Sequence, residues 1–367
     1  MDTLTSQARP QARAVRPRAA LKVAWVGEPF WLDSPGAREE LEDVELMFPS
    51  DRRRSRELLS GIASPPDVFH LSQSLLDDVG ILRAIAPSAA VVVDCTDGGP
   101  KGWRRKRAIA RQRAGADLIL VGSPLELREA RRRQPQYADR TAALPRPLDL
   151  DRFEEAAAHG RAAVASASNG RVNGQPLVLF AGPFTRAGGL GLALEAFARL
   201  GPQSSAATLA ALCHGDCDRR YLGRLSTAAA ARGLTPLVVD RPGEEELSSW
   251  IGAADVVCIL SADPGAGRLA NMAAAARKPV IAGELEPLLE RVVDGHTGVL
   301  VPDGDHVALA EALGSLLEND TERERLGSFA RERIEEEFAP DRVAARLRRY
   351  WEVARQRRRG GDHVGQS

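Results

Sequence analysis

The sequence predicts an α/β protein built from two doubly wound units, each a parallel sheet covered by helices on both faces. Three observations lead there. Short apolar runs recur along the chain, several of them ending in Gly, Asp or Pro, with stretches of helical apolar spacing between them. That alternation is the pattern of βα crossovers, which bury their strands on both sides. It runs through twice, and a chain of 367 residues has the length for two such domains facing a cleft.

The first unit opens at Leu21–Gly27 (LKVAWVG), an apolar run closed by glycine. Asp67–Leu71 (DVFHL), Ala89–Asp94 (AAVVVD) and Asp117–Gly122 (DLILVG) supply its further strands, with helices expected over Leu75–Ala86 and Trp103–Ala114. Glu154–Gln175 is rich in Ala, Ser, Gly and Asn without an apolar period, and reads as a linker. The second unit takes its strands from Leu177–Gly182 (LVLFAG), Ala207–Cys213, Pro236–Asp240, Asp255–Leu260, Pro279–Ala282 and Val299–Pro302. Leu190–Leu200 carries apolar residues at helical spacing. A charge-dense stretch, Asn319–Glu337, precedes the last helix, Pro340–Arg355. The resulting division is a disordered basic tail over 1–20, a first domain over 21–153, a linker over 154–176, a second domain over 177–338, a terminal helix over 339–356 and a disordered tail over 357–367.

Composition excludes several functions. Lys+Arg and Asp+Glu both number 50, so no global field favours nucleic acid. No apolar run reaches membrane-spanning length and no signal-peptide core is present. The basic first twenty residues leave a peripheral contact with an anionic surface open. Four cysteines do not make a disulfide framework in a chain this long, and a reduced, cytoplasmic setting is expected. Cys213, His214, Asp216, Cys217 and Asp218 include metal-capable side chains, but their spacing fits no zinc motif, so a strand-end loop is the simpler reading. Arg104, Arg105, Lys106, Arg107, Arg111 and Arg113 form a basic helical face, read as solvated. Arg131–Arg133 suits a helix C-terminus.

Five blocks go further than fold class. They are LPRPLDLDRF (144–153), LVLFAGPFTRAGGLGLALEAFARL (177–200), HGDCDRRYLGRL (214–225), PGEEELSSWIGAADVVCILS (242–261) and GHTGVLVPDGD (295–305). In this order the chain resembles the retaining glycosyltransferases of family 4 (group 1), which have the GT-B fold. The resemblance implies a nucleotide-sugar donor held by the second domain and a terminal helix crossing back to the first. Leu347, Tyr350, Trp351 and Val353 are the residues placed to pack that helix.

The same alignment shows what has changed. The family's donor loop carries a Glu, seven residues, then a second Glu. Anchored on Lys278-Pro279-Val280, those positions hold Pro264 and Met272, while Gly265 and Gly267 remain. The family's Arg and Lys for the diphosphate fall at Pro183 and Gly188, with Arg186 between them. Its paired glycines after the next strand fall at Glu286-Pro287, where proline removes a donor N–H and Glu286 adds like charge beside a phosphate. Where the family often has a His after its VVV strand, this chain reads Asp94-Cys95-Thr96-Asp97. Asp263, one residue from the first lost carboxylate, is the remaining catalytic candidate. Arg186, Gly265, Gly267, Arg268 and Glu290 are the remaining donor- or phosphate-binding candidates. Gly265 and Gly267 read equally well as turn residues, and Met272 as core filling.

Three functions fit these residues. The preferred one is a pseudo-glycosyltransferase that acts by binding, partnered by an active glycosyltransferase or a small-molecule acceptor. The second is a working enzyme with a rearranged site, using a UDP-, GDP- or ADP-sugar and no other cofactor. The third is a module that binds a non-sugar ligand.

Overall fold

In the computed structural model, residues 20–26, 31–32, 34–47, 65–72, 79–95, 113–172, 174–200 and 207–361 are described. The basic tail over 1–19, the Trp103–Ala114 helix up to residue 112 with most of its basic face, and the last six residues lie outside them. So does the start of the helix expected at Leu75, whose described part is Val79–Ile85.

Two six-stranded sheets form, parallel throughout. The first contains β1 (Leu21–Val26), β2 (Val44–Met47), β3 (Val68–Ser72), β4 (Ala90–Asp94), β5 (Leu118–Val121) and β6 (Thr141–Ala143), in the order β2-β1-β3-β4-β5-β6. The second contains β7 (Leu177–Phe184), β8 (Thr208–Cys217), β9 (Leu237–Asp240), β10 (Val256–Ile259), β11 (Val280–Gly283) and β12 (Gly298–Val301), in the order β12-β11-β10-β7-β8-β9. Strand order reverses between β1 and β3 in one sheet and between β7 and β10 in the other. Crevices for ligands open beyond the C-terminal strand ends at such reversals. They are therefore expected beside the loops after β7 and β10.

Both faces of the second sheet are filled. Leu177, Leu179, Val257 and Ile259 face one apolar cluster, while Val178, Phe180, Val256 and Cys258 face the other. All eight residues of β7 are buried. This is the continuous apolar signature of a central parallel strand.

The expected linker is structured. An 18-residue helix, Leu150–Ala167, is capped by Asp149, whose side chain accepts from the Arg152 N–H at 3.2 Å. Only Phe153, Gly160 and Val164 are buried along it, too sparse for a legible period. Its packing depends on missing side chains: a Cβ on Gly252 would overlap the Ala156 carbonyl, and one on Gly160 would press on the Ser249 carbonyl. The two backbones of Leu150–Ala167 and Glu244–Ala253 meet directly there.

The terminal helix runs Pro340–Gly361, so the tail expected from residue 357 is helical to 361. It packs on the first sheet. Val343, Ala344, Leu347, Trp351 and Ala354 are fully buried with Val23, Trp25 and Val92. Tyr350 donates to the Ala143 carbonyl at 2.8 Å. Val353, expected on the packing face, is 38% exposed because it falls between the buried positions at helical spacing.

Candidate functional site

A cavity of about 1250 Å³ lies between the two sheets. Its first-domain wall includes Asp94 and Cys95 at the end of β4, together with Arg113. The segment Gly122–Glu126 completes that wall at the start of the helix Pro124–Arg133. Arg146–Asp149 and Arg152 close one side. Opposite them stand Pro264, Gly267, Arg268 and Asn271 from the loop after β10 and the helix Ala266–Ala275, with Pro287, Glu290 and Arg291 beyond β11.

The first-domain wall is held rigidly. Ser123 accepts from the Glu126 N–H at 3.1 Å, and Glu126 reaches back to accept from the Gly122 N–H at 2.9 Å. The pair resembles a capping box, with the carboxylate reaching the N–H one residue before the N-cap. Burial pushes the Glu126 carboxyl upward despite that bond. Arg113 is half-buried rather than on a solvated face, and donates to Gln134 Oε1 at 3.0 Å. Burial raises the neighbouring Cys95 thiol, with Arg113 opposing the shift.

Asp94 is backed by a buried aromatic relay. Trp351 Nε1 donates to His70 Nδ1 at 3.1 Å, and Trp25 stacks on the His70 ring at 3.9 Å. An indole N–H only donates, so His70 Nδ1 accepts and the ring proton sits on Nε2 in the neutral form. Nε2 lies 3.4 Å from Asp94 Oδ2. The terminal helix thereby reaches a carboxylate on the cavity wall.

The second-domain wall is already engaged with the protein itself. One Arg268 Nη lies 2.8 and 2.9 Å from the two Glu244 oxygens, and this hydrogen bond pulls the Glu244 carboxyl downward. Glu290 pairs with Arg128 of the first domain at 2.9 Å, bridging the two walls. Arg291 lies 5.2 Å above the Phe338 ring, and burial lowers it from the usual arginine range. Burial, and then Arg268, lower Arg146 in the same direction.

Of the catalytic and donor-binding candidates named from sequence, Gly267, Arg268 and Glu290 line the cavity. Asp263, Gly265 and Arg186 do not belong to its lining. Asp263 Oδ1 accepts from the Gly265 N–H at 2.8 Å, and its carboxylate faces His214 and Gly215 at the end of β8. Gly265 sits against the His214 ring: a Cβ there would come within 2.9 Å of Cε1. Arg186 is exposed on the short 3-10 turn Arg186–Gly188. Met272 is fully buried in the core of the second domain, and the residue of that turn facing the cavity is Asn271, at 8% exposure. No sequence motif marks Asn271, Arg146, Arg291 or Glu126, which also line the cavity. Their only signal was proximity to loops already marked, and the fold alone brings the four together.

Gly188 stands where the family's Lys would. A Cβ on it would overlap the Pro183 carbonyl oxygen and crowd the proline ring. The loop after β7 has closed on itself, and in this conformation no side chain fits at that position.

The comparisons agree with this architecture. Residues 163–333 match the family model described as glycosyl transferases group 1. The D-inositol 3-phosphate glycosyltransferase of Xylanimonas cellulosilytica is 30% identical over 67% of this chain and 59% of its own length. That of Corynebacterium urealyticum is 30% identical over 59% of this chain and 52% of its own. The chain thus spans little more than half the length of these curated relatives. Among solved structures, Anabaena HepE in complex with UDP and glucose superposes with a TM-score of 0.61 at 16% identity, covering 90% of this chain and 99% of that one. Sucrose-phosphate synthase from Thermosynechococcus elongatus gives 0.60 at 20% identity, with 90% and 98% covered. The two parallel sheets and the cleft between them have the GT-B fold, and the second domain carries the match to the group 1 glycosyltransferase family.

Proposed function

We propose that this chain is a degenerate pseudo-glycosyltransferase. It keeps the two-domain cleft and acts by binding, as the partner subunit of an active glycosyltransferase or as receptor for a small molecule, without consuming a sugar nucleotide. The closed loop at Pro183–Gly188 carries this reading. A leaving diphosphate needs fixed cations and free N–H groups at the strand ends, and the closure removes the place for one of those cations. Arg268 is held by Glu244, and Met272 has joined the core. The four cysteines, all unpaired, suit a reducing, cytoplasmic setting.

A second reading has its own support. Arg146 and Arg291 on the cavity wall could meet the diphosphate of a UDP-, GDP- or ADP-sugar from a new direction, and relatives are named as glycosyltransferases. Thermal shift separates the two. A nucleotide at a hundredfold its Kd adds about 2.7 kcal/mol of stability. The proposal expects no shift with millimolar UDP, GDP, ADP or their glucose conjugates. A shift that Arg291→Ala or Arg146→Ala abolishes would establish a rebuilt donor site.

A further inference from the structure

The strand-end cysteines acquire a third partner that lies far away in the sequence. Cys213 on β8 and Asp240 on β9 are directly paired residues of neighbouring parallel strands, so their side chains leave the sheet on the same face. Cys217 returns beside them because the pairing of β7 with β8 slips between Gly182 and Phe184, and Cys217 becomes the partner of Phe184. Gly215, at φ +99°, makes the bend. The Sγ atoms of Cys213 and Cys217 and a carboxylate oxygen of Asp240 lie within 4.8 Å of one another.

We propose that Cys213, Cys217 and Asp240 form a binding site for a thiophilic divalent cation of the Zn²⁺ class, with solvent in the fourth position. Thiolate sulfur and carboxylate oxygen are both zinc donors. Bond lengths of roughly 2.3 Å to sulfur and 2.0–2.2 Å to oxygen place tetrahedral ligands a little under 4 Å apart. The three groups need only contract slightly from their present spacing. Cys213 is buried, Cys217 half-buried and Asp240 exposed, so the metal enters from the edge of the sheet. Asp240 makes exposed ion pairs meanwhile, to Arg219 at 3.1 Å and Arg241 at 3.9 Å.

The site is separate from the interdomain cavity, whose lining includes none of the three residues. Its role is structural. The metal fastens edge strand β9 to the bulge of β8, and that bulge abuts Pro183 and Asp263, because a Cβ on Gly215 would lie 3.7 Å from one and 3.8 Å from the other. The alternative fate of the two thiols is a disulfide. Both are free thiols in the structure. A metal instead displaces the proton on binding.

The test uses the full chain, reduced and stripped of metal, titrated with Co²⁺ alone and then with Zn²⁺. The expected result is a saturable sulfur-to-cobalt charge-transfer band in the near ultraviolet, removed by Zn²⁺. It should be lost in Cys217→Ser, kept in Cys95→Ser, and weakened in affinity by about tenfold or more in Asp240→Asn. Zn²⁺ should also raise the Tm of the parent chain and not of Cys217→Ser. Cys217 and Asp240 are accessible, so these variants decide even where Cys213→Ser does not fold. Absence of the band with all thiols reduced overturns the proposal. So does a band that survives Cys217→Ser, or isolation of the chain with Cys213 and Cys217 joined to each other.

Discussion

Replacing Met272 with Glu restores the family's residue by alignment, yet here it should damage the protein. The side chain is fully buried in the apolar cluster that includes Leu269, Ala273, Val280 and Ile334, and the buried Arg331 on the neighbouring helix is already bonded to the Ala275 carbonyl. A carboxyl there is forced neutral, its pKa rising well above the unfolded value of about 4.3. Staying neutral at pH 7 costs about 1.4 kcal/mol for each pH unit above that value, or about 4 kcal/mol. The sign follows from linkage: the folded state binds the extra proton, so the variant loses stability as pH rises above about 4.3 and recovers it as pH falls. Urea denaturation of parent and Met272→Glu at pH 5, 6 and 7 should therefore give a gap that widens by about 1.4 kcal/mol per unit. A pH-independent gap under about 1 kcal/mol, or new affinity for a UDP-sugar, would refute the placement of this side chain in the core.

Other predictions follow from the same packing. Gly188→Lys should destabilise the second domain by about 1–3 kcal/mol through overpacking against Pro183 without creating nucleotide affinity; a neutral melting temperature would show that the loop opens easily. Trp351→Phe should cost about 1 kcal/mol by removing the donor to His70, and Trp351→Ala about 3–5 kcal/mol, both read by denaturant midpoints; an unchanged midpoint in Trp351→Phe would remove the relay from the account. Burial first, and Arg268 second, depress His214 below its ordinary 6.5. Its folded pKa lies under the unfolded one, so it contributes stability that is present above about 6.5 and lost as pH falls through the lower folded value. His214→Gln should flatten that part of the stability profile.

Much of the scaffold was legible because central parallel strands write themselves as apolar runs. β7, β10 and β11 are of this kind, and the glycines after them marked the loops. β2 and β6 were missed for the opposite reason. Both lie at sheet edges, and β6 is a three-residue Thr-Ala-Ala segment. The helix at Leu150–Ala167 escaped because it packs through Gly160 and Gly252 rather than through an apolar stripe. The site divides similarly. Gly267, Arg268 and Glu290 were findable from the loops that carry them. The clasp of Arg268 by Glu244, the Arg128–Glu290 bridge and the His70 relay join residues from separate elements, and no local pattern encodes them. Met272 reads as core filling in the sequence, whereas nothing there marks its neighbour Asn271, because a one-residue shift on a helix turns a side chain by about 100°.

The central claim is that the cleft has kept its form and lost donor turnover. It is tested most directly by incubating the purified full chain with UDP-, GDP- and ADP-sugars and following donor consumption and transfer products by mass spectrometry, with and without candidate glycosyltransferase partners. The account predicts no donor consumed by the chain alone, and any activity in a mixture to depend on the partner's own site. Turnover by the chain alone that disappears with Asp94→Asn, Arg291→Ala or Asp263→Ala would contradict it.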